Sequence, residues 1–251
     1  VTNEPDLPLR GVTNVVQGDM SGVQAGTIHG DVHYHPPERP TDDAPEIFGH
    51  VPETNEEINY VIGHRPWSWE YLLYAGSLQV GLHHIKQKST NRSNSPLTIT
   101  SKDAAIKHVS TLLAELQAAV EDVMNCFDPE LMSKALGEPG RPGEWRLTCA
   151  IARRLIAVYE KLQNWSISVR EAEVPRQTRR LFNILSHIAD RPMLEIDEFV
   201  QHFVTQLNDM IGKASQGMTD AQVLTLTCEI AVDEKLMAEL IKEAERANRR
   251  W

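Results

Sequence analysis

The chain is short of several things, and each shortage narrows what it can be. Its three cysteines, Cys126, Cys149 and Cys228, are odd in number, far apart and without a Cys-x-x-Cys spacing. That excludes a disulfide scaffold and a cysteine-rich zinc site, and a reducing, cytoplasmic setting is expected. Positive charge is scarce as well: 25 Lys and Arg stand against 35 Asp and Glu, giving a formal charge of -10. A general nucleic-acid binder needs a basic footprint, so nucleic acid is not an expected partner. Long apolar runs are missing. The longest, Tyr71 to Leu82, is broken by Gly76, Ser77, Gln79 and Gly81 and falls short of the roughly 20 residues that cross a bilayer.

The common signatures of catalysis are absent too. There is no Gly-x-x-x-x-Gly-Lys, no Gly-x-Ser-x-Gly and no His-Glu-x-x-His, which removes the usual phosphate, acyl-transfer and zinc-hydrolase motifs. His108, Glu115 and Glu121 read as exposed positions of a helix. Arg153, Arg154, Arg176, Arg179 and Arg180 are interleaved with Glu160, Glu171 and Glu173 and read as a solvated helix surface before they read as a phosphate or lipid patch. No catalytic residue, cofactor or resident metal is assigned, and an enzyme without a recognisable motif stays open as one reading.

What the chain does have is a Gly-punctuated segment, residues 14–35. It contains a repeat at an offset of twelve, Val16-Gln17-Gly18-Asp19-Met20 lining up with Ile28-His29-Gly30-Asp31-Val32. Apolar and polar residues alternate in each copy, the period of an extended strand with one dry face. Val23 and Ala25 fall on one parity, Ile28, Val32 and Tyr34 on the other, with the change at Gly26-Thr27, where a glycine can reverse the inward face. Pieces this short are marginal alone. In a parallel, in-register stack, every backbone amide finds a partner in the next copy, and Asn14, Gln17 and Gln24 form amide ladders along the axis.

At Val23-Gln24-Ala25-Gly26, with its flanking Gln17-Gly18-Asp19 and His29-Gly30-Asp31, the segment resembles amyloid signalling motifs of the RIP-homotypic-interaction type and the related bacterial amyloid signalling sequences. The resemblance covers about residues 12–35 and leaves the rest of the chain unidentified. It implies self-assembly through Val16, Gln17, Val23, Gln24, Ala25, Gly26, Ile28, Gly30 and Val32. The implied partners are further copies of the chain and other proteins carrying a similar motif. It also implies an oligomeric signalling adaptor or effector in a bacterial defence or cell-death pathway, with membranes engaged only after activation. The alternatives are a scaffold or receptor whose body binds a protein partner, and the motif-less enzyme already named.

His29, Asp31, His33 and His35 also alternate onto one face of this segment, nitrogen and oxygen donors that suit a metal. No other group in the sequence is placed to complete such a site, so a solvated, pH-sensitive face is the expectation.

Residues 1–13 form a leader with little periodicity, and residues 36–51 a proline-rich acidic tether that cannot continue a strand. From residue 52 the pattern becomes helical. Thr54 is placed to cap a first helix. Trp69, Leu72, Leu73, Gly76 and Val80 mark a second, in which Gly76 is suited to the close approach of another helix. His83 and His84 near its end suit a helix C-terminus. Ser101 caps a long helix with a seam of Ile106, Val109, Leu113, Leu116, Val120, Val123 and Phe127, and Asp128-Pro129 starts a short one. Ile151, Leu155, Val158, Leu162, Trp165 and Val169 mark the seam's partner. Leu181, Leu185 and Ile188, then Ile196, Phe199, Phe203, Leu207 and Met210, mark two more. Residues 223–232 alternate like a strand, with Leu97 to Thr100 as the expected neighbour. Asp233 caps a last helix that turns Leu236, Met237, Leu240 and Ile241 inward. The expected fold is mainly α (α+β): a helical bundle with a minor two-stranded sheet, preceded by a short β-forming motif and the tether.

Overall fold

The structure is a computed structural model; it describes residues 26–34, 49–65, 69–89, 97–138, 141–216, 222–230 and 233–249. In chain order the elements are strand β1 (Gly26–Tyr34), helices α1 (Asn55–His64), α2 (Trp69–Ser89), α3 (Lys102–Cys126) and α4 (Pro129–Leu136), the two-residue strands β2 (Gly137–Glu138) and β3 (Arg141–Pro142), helices α5 (Trp145–Glu171), α6 (Arg179–Ile188) and α7 (Asp190–Ser215), strand β4 (Gln222–Ile230) and helix α8 (Glu234–Arg249). The described chain is mainly helical and packs as a bundle.

The starts of four helices follow directly from their sequence. Thr54 and Glu57 form a reciprocal capping box: the Thr54 hydroxyl accepts the Glu57 N–H at 3.2 Å while the Glu57 carboxylate accepts the N–H groups of Thr54 and Glu53 at 3.0 and 2.7 Å. Ser101 accepts from Ala104 N–H, Asp128 from Leu131 N–H ahead of Pro129, and Asp233 from the N–H groups of Lys235 and Leu236. Each satisfies donors that the first helical turn leaves without a partner.

Helix α5 is the spine, packed by α2, α3, α4, α6 and α7. Its buried stripe of Ile151, Leu155, Val158, Leu162, Trp165 and Val169 is the one its spacing marks. Of the expected seam of α3, Val109, Leu116, Val120, Val123 and Phe127 are buried; at the other two positions the burial falls one residue earlier, with Ala105 and Leu112 buried and Ile106 and Leu113 only partly covered. Trp165 fixes this phase by donating its indole N–H to the Leu112 carbonyl at 3.1 Å. Helix α2 buries Tyr71, Leu72, Leu73, Tyr74, Ala75, Leu78, Leu82 and Ile85 around most of its circumference, the mark of a helix enclosed by others. It packs against α1, α5 and α7.

Two glycines of α2 set how closely its neighbours come. A side-chain carbon at Gly81 would collide with Ile156 of α5, so a contact between the two central helices depends on this glycine. Gly76 has a different neighbour from the helix its spacing suggests. A carbon there would lie 2.8 Å from the Pro52 side chain, so the segment entering the bundle fills the notch. Just before it, Val51 is buried and its N–H donates to Asn208 Oδ1 of α7 at 2.7 Å. An aromatic row crosses the core, Phe127 edge-on to Phe199 at 4.7 Å, Phe199 stacked on Phe203, and Phe203 tilted against Tyr74.

Two expectations are corrected by the backbone. Leu97 to Thr100 is not the neighbour of β4: Ile99 N–H donates to Glu173 O and Glu173 N–H to Leu97 O, both at 2.8 Å, so its hydrogen bonds go to the chain leaving α5. The partner of β4 is β1, antiparallel from Gly26↔Ile230 to Tyr34↔Gln222. In α8 the inward stripe is Leu236, Met237, Leu240, Ala244 and Ala247, and Ile241 is 46% exposed because it lies a step round the helix from that line.

Candidate self-assembly segment

Gly26, Ile28, Gly30 and Val32 of the expected self-assembly set lie on β1; Val16, Gln17, Val23, Gln24 and Ala25, with the first copy of the repeat, lie outside the described residues. The pairing sets Gly26 opposite Ile230, Ile28 opposite Cys228, Gly30 opposite Leu226 and Val32 opposite Leu224. Thr27, His29, Asp31 and His33 take the alternate positions, opposite Glu229, Thr227, Thr225 and Val223. One parity of the ladder therefore holds the apolar register positions of both strands apart from Val223, and the other holds the polar ones apart from Gln222. A one-residue slip would set the histidines and Asp31 beside the leucines, so the alternation of both sequences specifies this register. His35 lies outside the described residues.

Elsewhere, the polar groups are absorbed by packing. Tyr159 of α5 donates its hydroxyl to Asp197 Oδ2 of α7 at 3.0 Å, and Lys86 of α2 places Nζ 2.7 Å from Asp197 Oδ1. Burial, then the Asp197 charge, pushes the Tyr159 phenol well above its ordinary range, so it stays a proton donor and the trio ties three helices together. No local pattern marks this trio, since its members come from three separate helices.

A second cluster lies where α1, α2 and α5 begin or end. The half-buried rings of Trp69 and Trp145 are 6.5 Å apart. The Arg65 guanidinium sits 5.3 Å above Trp69 and that of Arg146 5.5 Å above Trp145, spacings that suit cation–π attraction. Arg65 closes α1 in a left-handed conformation, φ 46°. Beside them, Glu70 is 7% exposed, and its carboxyl is raised above its usual pKa, chiefly by burial, although it accepts the Gly143 N–H.

Two of the five arginines considered for an anion patch are held in ion pairs. Arg154 meets Asp122 at 3.1 Å, and Arg180 meets Glu239 and Glu243 across α6 and α8. His108 is partly covered, while Glu115 and Glu121 are exposed on α3. Burial pushes the Cys126 thiol up to about 11 and raises that of Cys149, so neither is a ready thiolate nucleophile. Among the described residues no group of three His, Cys, Asp or Glu side chains is arranged to hold a metal, and no helix is long and apolar enough to cross a membrane. No protein-family model, no curated protein and no solved structure matches the chain.

Proposed function

We propose that the chain is a signalling adaptor or effector recruited by homotypic, amyloid-type stacking of residues 14–35, with the helical body delivering the outcome. The observation that carries this reading is the duplicated Gln-Gly-Asp and His-Gly-Asp unit around Val23-Gln24-Ala25-Gly26. Its alternation and amide side chains suit a stack with strands about 4.8 Å apart, in which each backbone group bonds to the copy above and below. The recruiting partner is then a protein carrying a similar segment, and the setting is cytoplasmic defence or cell-death signalling.

Fibril formation by a peptide of residues 12–35 tests the reading directly, followed by thioflavin fluorescence and electron microscopy beside Gln24→Pro and Gly26→Val. Wild-type peptide should form fibrils. Proline removes a ladder donor and valine obstructs the change of face, so both variants should lose most of the yield. Equal yields from all three would remove the assigned core, and a wild-type peptide that stays soluble under seeding would remove the function.

A second reading, a scaffold whose body binds a protein partner, is favoured by the Trp69, Trp145, Arg65 and Arg146 cluster, since Trp and Arg dominate binding hot spots. Leakage from anionic vesicles after seeding the full chain separates the two. Release supports an effector that acts on membranes, and its absence together with intact recruitment supports the scaffold.

A further inference from the structure

The ribbon formed by β1 and β4 has a consequence for how stacking would begin. In an in-register stack each strand is bonded along both edges to copies of itself. In the folded chain, one edge of β1 is instead occupied by β4 over nine residue pairs, Gly26↔Ile230 to Tyr34↔Gln222, and the pairing is antiparallel. A parallel stack cannot grow from that edge while β4 is there, because both the hydrogen-bond pattern and the strand direction are wrong for it.

We infer that β4 is an intramolecular cap on the motif: residues 222–230 hold residues 26–34 out of the stack, and recruitment exchanges β4 for a second copy of β1. The inference rests on the stacking reading above. The two strands are not equally free to leave. β4 packs against α7 and lies between α7, which ends at Ser215, and α8, which starts at Glu234, so the bundle anchors it on both sides. β1 has fewer ties: besides β4 it touches the two-residue strand β2, and among the described residues no element precedes it in the chain. Exchange therefore moves β1 and leaves β4 in place. The complementarity of the two alternations is what makes the cap specific: apolar register positions meet apolar ones at 28↔228 and 32↔224. It also makes the cap breakable, because Gly26 and Gly30 on β1 contribute no side-chain contact to it.

The register supplies the test. Position 28 lies opposite Cys228, and directly opposed residues in an antiparallel pair have Cα atoms roughly 4.5–5.5 Å apart, within disulfide range. Full-length Ile28→Cys is oxidised with oxidised glutathione, its 28–228 cross-link is confirmed by peptide mapping, and seeded fibril growth is compared before and after reduction. The cross-linked chain should elongate seeds of the residue 12–35 peptide at least tenfold more slowly than the same chain reduced, and oxidised and reduced wild type should match. In parallel, Leu226→Pro in the full chain should shorten the lag, since proline removes strand β4 from competition. Failure of the 28–228 bond to form, or equal growth of cross-linked and reduced chains, overturns the cap. If the bond forms but the wild-type peptide never makes fibrils, the stacking reading fails while the ribbon stands, and the cap loses its role with it.

Discussion

Leu155 has no exposed surface and sits on α5, the helix that touches most of the bundle. Truncating such a side chain loses its transfer free energy and leaves a cavity that close-packed neighbours only partly fill. Leu155→Ala should therefore destabilise the fold by about 3 kcal/mol and lower Tm by roughly 6–12 °C, measured by circular dichroism. Ile241→Ala, at an exposed position of α8, is the contrast: its cost should stay within about 0.5 kcal/mol. Glu70 makes a pH-dependent case. Burial holds its folded carboxyl above the pKa of the unfolded chain, so the unfolded chain loses this proton first. The resulting cost to stability builds as pH rises from the unfolded to the folded pKa and is complete above it; as pH falls back through that window, the cost disappears. Glu70→Gln, which keeps an acceptor for Gly143 N–H, should melt higher relative to wild type at pH 7 than at about pH 4. A difference in Tm that is flat with pH would mean that Glu70 does not titrate in this window.

At the scale of elements, legibility followed local chemistry. Caps at Thr54, Ser101, Asp128 and Asp233 are set within three or four residues, so each was readable. The α5 stripe was readable because one face is buried and the other solvated. The α2–α5 contact was not: when a helix is covered nearly all round, its apolar residues lose their period, and the glycine that admits Ile156 looks like any other break in the run. The neighbour of β4 is not legible in the sequence for a related reason. Alternation fixes which face a strand buries but not which strand lies beside it, and the short Leu97 to Thr100 stretch had a competing claim from Glu173. Of the candidate site, the alternation over 26–34 was legible, whereas its pairing with a strand nearly 200 residues away depends on the topology of the bundle. The clamp of Tyr159, Asp197 and Lys86 makes a prediction at this scale. Tyr159→Phe should cost about 1 kcal/mol, and Asp197→Ala about 1–3 kcal/mol, because the latter leaves the buried Tyr159 hydroxyl without its acceptor. Urea melts of the two single variants and the double variant should be non-additive, the second change costing less once the first is made.

For the whole molecule, the question is whether the motif and the bundle are separable. The described core residues all lie between Val51 and Ala247, so the bundle has its own hydrophobic interior. A chain lacking residues 1–35 should keep its helical signal, with a Tm change below about 5 °C, the equivalent of roughly 1–2 kcal/mol in a domain of this size. Removing β1 should nevertheless carry a different cost. It strips β4 of the strand along its edge, leaving nine residues of apolar-polar alternation with unpaired N–H and C=O groups, a template for association with another chain. The shortened chain should therefore associate through β4 in a concentration-dependent way by sedimentation velocity. Thr225→Lys, a charge placed on the polar register of that strand, should return it to the monomer without changing Tm appreciably. A shortened chain that is monomeric at all concentrations would mean that β1 does not shield β4. One that loses cooperative melting would mean that the first 35 residues are part of the fold, and the separation of recruiting segment from delivering body would have to be abandoned.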